Sequence, residues 1–241
     1  FALGLLEAQT LEAKLSPPPA GLTDDEPGSP LFVKGPIRPP ELRHDPVQKV
    51  KVPPLSGMPD PGQRVRILHS LANHELQAAE LFAWALLAFP AMPRAFRRGC
   101  LGILADEQLH CSLYIERLEA LGSRFGDFGV TAHFWRKAAR IRTPLAFLCE
   151  MGLTLENANL DFAQEHAAAA RAAGDDATAD VLGRVHADET RHVAFAWTWF
   201  QKLKPAGEDD WDVYLAHVHR PGGPERARGA TFDALARHAA G

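Results

Sequence analysis

Six side chains in this 241-residue chain have the types and spacing to hold transition-metal ions: Glu75, Glu107, His110, Glu156, Glu189 and His192. The Glu and His of Asp106-Glu107-Gln108-Leu109-His110 stand three residues apart, as do those of Asp188-Glu189-Thr190-Arg191-His192, each in a Pro-free run rich in Ala and Leu. On a helix that separation puts the two side chains about 60° apart, so a carboxylate and an imidazole point the same way. Glu75 precedes Glu107 by 32 residues (107 − 75) and Glu156 precedes Glu189 by 33 (189 − 156). The chain therefore reads twice as helix with Glu, turn, helix with Glu-x-x-His. Four helices that each donate a carboxylate, two of them adding an imidazole, supply the ligand set of a two-iron or two-manganese bundle. Carboxylate-rich ligation with two imidazoles suits iron or manganese better than zinc or calcium.

Within such a centre Glu107 and Glu189, each beside a His on its own helix, are the natural bridging and catalytic carboxylates. Glu75 and Glu156 are then terminal ligands, with His110 and His192 as nitrogen ligands. Imidazole ligands usually give their second N–H to a carboxylate or carbonyl, which assigns Asp106 and Asp188 to orienting the histidines across helices. Arg191 either joins that network or is solvated. His186, three residues before Glu189, is an additional ligand, a proton carrier or a satisfied rim histidine. Tyr114, one turn beyond His110, either supports the centre or packs. Glu80 lies about 140° round the helix from Glu75 and reads as a partly solvated acid. His69 and His74 lie off the Glu75 face and read as structural.

The elements that must position these groups follow from periodicity and punctuation. Leu68, Ala72, Glu75, Ala79, Phe82 and Leu86 form a buried stripe on a helix from about 62 to 89, stopped by Pro90 and Pro93. A second helix, about 93 to 121, carries Phe96, Cys100, Ile103, Glu107, His110 and Tyr114 and ends at Gly122. An aromatic crossover, about 123 to 143, leads to a third helix, about 144 to 173, with Cys149, Leu153, Glu156 and Leu160 on one stripe. After Gly174-Asp175-Asp176, a fourth helix runs from about 177 to 203. Residues 1–16 suggest a short amphipathic helix, and 17–61 a Pro-rich stretch that is either a disordered leader or an arm. Leu31, Phe32, Val33, Ile37, Val50 and Val52 give an arm something to bury. Beyond Pro205, 211–218 reads as a short helix and the stretch from Pro221 as a surface tail. The organisation expected is 1–61 as N-terminal segment and arm, 62–205 as the bundle, and 206–241 as C-terminal helix and tail.

A chain that is 46% hydrophobic can bury a substantial core, and a net charge of −4 gives no general pull toward nucleic acid or anionic lipid. The basic run from Arg136 to Arg142 reads as a solvated face. Three cysteines without C-x-x-C spacing suggest neither a disulfide framework nor a structural zinc site. No signal sequence and no long uncharged apolar run are evident, so a cytoplasmic protein is expected.

The segments Ala72-Asn73-His74-Glu75-Leu76-Gln77-Ala78, Asp106-Glu107-Gln108-Leu109-His110, Glu156-Asn157-Ala158-Asn159-Leu160-Asp161 and Asp188-Glu189-Thr190-Arg191-His192-Val193 carry a resemblance. Together they resemble the ferritin-like family catalogued as domain of unknown function 455, related to the tRNA hydroxylase MiaE. That resemblance implies an all-α, ferritin-like four-helix bundle with a long crossover between its second and third helices and a Pro-rich N-terminal arm. It also implies a di-iron centre on the six residues named above, with a manganese–iron or di-manganese pair as variants. The Asp-Glu-x-Arg-His form at 188–192 is similar to that of acyl-carrier desaturases and bacterial multicomponent monooxygenases, whereas the second helix has no Arg before His110. The function expected is an oxygen-activating non-haem di-iron oxidoreductase, a hydroxylase or oxidase of a small-molecule or carrier-bound organic substrate. It would use O₂ and an external electron donor, with neither a membrane nor nucleic acid as partner. A ferroxidase or other iron-handling role is the alternative.

Overall fold

The computed structural model describes residues 1–45, 49–218, 225 and 227–241; the start of the expected tail, from Pro221, lies outside the described residues. Among the described residues the regular structure is helical, with no strand. The chain divides into two compact units, Phe1–Ala139 and Arg140–Gly241, so the division falls in the crossover, just after its short helix α5 (Trp135–Ala138).

The first unit is built on a helix pair, α3 (Pro61–Ala88) and α4 (Arg94–Ala120). Asp60 caps α3 by accepting the Gln63 N–H, and Pro61 occupies the first turn, where a missing N–H costs nothing. The short Pro-containing connection at 89–93 makes the pair antiparallel neighbours. The expected stripe on α3 is buried, from Leu68 and Ala72 through Ala79 and Phe82.

The N-terminal stretch is an arm on this pair. Its single expected helix is two short ones, α1 (Ala2–Glu7) and α2 (Leu11–Leu15), the second capped by Thr10. The prolines beyond are compatible with extended backbone whose polar groups bond outward to the helices. Leu31 N–H donates to Leu87 O, Ile37 N–H to Leu6 O, and Trp84 Nε1–H to Val33 O. Phe32 meets Trp84 and Phe89 edge-on, and Asp24 accepts from Arg97 Nε at 2.9 Å. The apolar side chains expected to anchor the arm are largely outside: Leu31, Phe32, Ile37 and Val52 stay 44–46% exposed. Leu5, Leu6, Leu42 and Met58 are buried and, unexpectedly, so are Arg38 and Lys14.

The second unit holds α6 (Pro144–Phe147), a π-helical segment (Leu148–Glu156) and α7 (Asn157–Ala172), with helical backbone throughout, then α8 (Asp176–Leu203). The expected single α-helix at 144–173 is thus interrupted by a wider coil: Asn157 N–H reaches Gly152 O, and Thr154 Oγ1 donates to Cys149 O, both across five residues. Because the coil is wider, the stripe projected at α-helical spacing drifts. Leu153 is only half-buried, while Glu150, Met151 and Thr154 are fully buried. Gly152 lets this segment touch α8, since a Cβ there would stand 2.2 Å from the Ala196 methyl.

Helix α9 (Asp210–His217) covers Leu145, Cys149 and Phe200 with Val213 and Tyr214. The end of the expected tail is a helix, α10 (Ala234–Ala240), whose Ala236 and Ala240 pack on Leu160 and Val193. Asp161, fully buried on α7, ties this segment down by accepting from Gly229 N–H, Asp233 N–H and the Arg237 guanidinium.

Candidate metal-binding residues

The first unit brings Glu75 of α3 together with Glu107 and His110 of α4, one turn apart on the same face. One ligand atom from each lies within 4.8 Å of the other two. His110 Nδ1 is 3.6 Å from Glu107 Oε2 and 4.0 Å from Glu75 Oε2. The second unit repeats the device with Glu156, at the end of the π-helical segment, and Glu189 and His192 of α8, again within 4.8 Å of one another. His192 Nδ1 is 3.1 Å from Glu189 Oε2. In each of these contacts the imidazole nitrogen is Nδ1.

None of the six residues is more than 4% exposed. Two carboxylates brought together out of water repel each other and lose their hydration, which is costly unless cations or hydrogen-bond donors compensate. A buried set of two carboxylates and an imidazole whose donor atoms converge can hold a metal ion, and this chain has two such sets. The cysteines are in neither: Cys100, Cys111 and Cys149 are buried, which pushes their thiols up, Cys149 to about 12, and keeps them protonated.

The surrounding residues divide. Asp188, 2% exposed, accepts from Arg184 Nε at 2.8 Å and Arg191 Nη1 at 2.7 Å, so Arg191 joins its network. Asp106 is half-buried on α4, and Tyr114 is buried one turn past His110. His186 stands apart from the triad: its Nε2 is 2.9 Å from Asp233 Oδ2, the side chain that caps α10. His69 and His74 are structural, as expected. His69 Nε2 accepts the Gly126 N–H, which fixes its neutral tautomer, and His74 stacks on Phe134.

The expectation for Glu80 is overturned. It is fully buried and takes Lys14 Nζ at 3.0 Å, Arg38 Nη2 at 2.6 Å and Trp135 Nε1–H at 2.9 Å. Glu80 does leave the Glu75 face of α3, but the arm covers that flank and brings cations with it.

Sequence reasoning missed Asn159, whose Nδ2 donates to Glu189 Oε1 at 2.8 Å. Its spacing from Glu156 was the available signal, since three residues on an α-helix keep it on the ligand face. It also missed the burial of Glu150, which only the π-helical coil turns inward. Among the described residues no helix is long and apolar enough to cross a membrane.

Comparison with known proteins agrees over almost the whole chain. The family model described as "Protein of unknown function (DUF455)" matches residues 7–241. No curated protein and no solved structure matches.

Proposed function

The chain belongs to the DUF455 family, and from its two buried triads we propose that it is a non-haem di-iron oxidoreductase, a hydroxylase or oxidase of an organic substrate. In this reading the chain would form one ferritin-like four-helix bundle, and Glu75, Glu107, His110, Glu156, Glu189 and His192 would together hold a pair of iron ions. Matching triads in the two halves are the observation that carries it: four acids and two imidazoles, all buried, fit the donor set of such a pair and exceed what one ion needs. Bound iron would supply electron transfer and O₂ activation, and the protein sets ligation, access and orientation.

The chain's own part can be assigned atom by atom. Glu107 and Glu189, each beside a His on its own helix, would be the carboxylates shared between the ions, and Glu75 and Glu156 would complete the set. His110 and His192 would bind through Nδ1, which would leave the hydrogen on Nε2 as the atom for Asp106 and Asp188 to orient. Asn159 holds Oε1 of Glu189 and thereby fixes the plane of that carboxylate.

Iron reconstitution tests this reading. About two ions per chain are expected, with magnetic coupling between them, and Glu107→Ala or Glu189→Ala should disrupt both ions rather than one. After anaerobic reduction, O₂ should be consumed with a transient change in absorption. A chain that holds no iron, or iron whose reduced form ignores O₂, would refute the proposal.

A further inference from the structure

A second concavity lies in the first unit, on a flank of α3 turned away from Glu75. Arg66, His69, Ser70 and Asn73 form its floor at helical spacing, and Asn73 and Glu75 are about 200° apart around the helix. The cavity measures about 260 Å³, and its other walls are the segments 49–52 and 127–131.

Its charge is one-sided. Lys49, Lys51 and Arg66 line it against a single acid, Asp127. That acid is engaged in its own turn, where Oδ2 accepts from Ser123 Oγ at 2.9 Å and Arg124 N–H at 2.7 Å, with Arg124 Nε 3.8 Å from Oδ1. Among the described residues no carboxylate pairs with Lys49, Lys51 or Arg66. Arg66 is held in place, donating from Nη2 to Lys51 O at 3.1 Å while its guanidinium lies 5.6 Å from the Phe128 ring centre.

The floor beneath is built and rigid. Asn73 accepts from Arg38 Nη1 and donates to Thr131 O, and His69 accepts from Gly126 N–H between the rings of Phe125 and Phe128. Gly126 adopts φ +113°, and a Cβ there would stand 2.8 Å from Glu41 Cγ, so this loop is pinned. A cavity with fixed polar walls costs little to order on binding.

We propose that this cavity binds the phosphate group of a small phosphorylated molecule. Three cations against one engaged acid leave a surplus of two positive charges, which matches a phosphate dianion better than a carboxylate. Arginine's planar donors suit phosphate oxygens, and the lysines add point charges. The volume lies below the usual range for drug-sized ligands, so the partner is a small phosphomonoester rather than a nucleotide. Lysines at the rim and Phe128 at the wall would hold its charged and apolar parts respectively.

Calorimetric titration of the full chain with inorganic phosphate and with glycerol phosphate tests the proposal, and the control Glu107→Ala separates this cavity from the metal-binding residues. Saturable one-to-one binding is expected that weakens as salt rises and survives in Glu107→Ala. It should fall about tenfold or more in Arg66→Gln and again in Lys51→Gln, the loss of one charge-assisted contact each. Lys51 is exposed, so its substitution leaves the fold intact even if that of Arg66 does not. Absence of saturable binding, binding indifferent to Lys51→Gln, or binding lost in Glu107→Ala would overturn it. So would preference for a single-stranded oligonucleotide that neither phosphate nor glycerol phosphate displaces.

Discussion

Replacing Glu80 by Gln should unfold the first unit far more readily than replacing any exposed acid. The carboxylate is fully buried between Lys14, itself fully buried, and Arg38, 7% exposed, and it also accepts from Trp135. Its neutral replacement leaves two cations in the interior with no counter-charge. Breaking a buried ion pair from one side costs about 3–5 kcal/mol, because the orphaned partner keeps its desolvation penalty. For a chain of this length each kcal/mol moves the melting temperature by roughly 2–4 °C, so the loss should be roughly 6–20 °C. Adding Lys14→Met to Glu80→Gln removes one orphaned cation and should recover part of that loss, a coupling that two independent sites would not show. The acid limb gives a second reading. Burial pushes the Glu80 carboxyl up, but Arg38 and Lys14 together outweigh it and hold the group below its usual value. A depressed carboxyl contributes stability that is present above the unfolded value and lost as pH falls through the folded one, so this contribution should persist until strongly acid pH. Lys14 runs the other way, lowered by burial despite Glu80, so its burial is a cost that Glu80 offsets. Thermal melts by circular dichroism measure all of this. A shift below about 2 °C for Glu80→Gln, or no recovery on adding Lys14→Met, would refute the reasoning.

Other outcomes follow from the same contacts. His69 is held neutral by burial, which pushes it down to about 4 against the pull of Asp127. Because the unfolded chain takes up that proton first, roughly 3 kcal/mol of stability should drain away between pH 6.5 and 4. Denaturant titrations should show His69→Gln without that slope, and equal slopes would contradict it. Asn159→Ala frees Oε1 of Glu189, and iron affinity should fall about 10–100-fold in competition with a chelator while the melting of the iron-free chain barely moves. Arg237→Ala strips Asp161 of its cation and of two donors, and amide exchange across α10 should accelerate by at least tenfold. An unchanged exchange rate would mean that α10 is held by its apolar contacts alone.

Much of this molecule could be read from residue order because one rule governed each feature. The α3, α4 and α8 boundaries fell where Pro, Asp and Gly punctuate a periodic apolar stripe. The ligand candidates stood out because a Glu and a His three apart on such a stripe are costly without a purpose. Glu80 escaped because its environment is supplied from more than forty residues away by Arg38, whose position among prolines gives no periodic hint. The π-helical segment escaped because its wider coil has no signature in apolar spacing, and the burial of Glu150 escaped with it. Helix α10 was read as tail because its stability comes from the pairing of its Arg237 with Asp161, distant in sequence, rather than from its own short run of alanines.

The contact at Gly152 has a bearing on traffic. Main chain presses directly on the Ala196 methyl there, with no side chain between that could swing aside. Under the proposed iron chemistry, O₂ bound for Glu156, Glu189 and His192 would not pass between Gly152 and Ala196 and would have to come in past some other rim of the second unit. The same glycine therefore acts as a weld, and enlarging it would pry two rods apart just where their spacing governs how near those ligands stand.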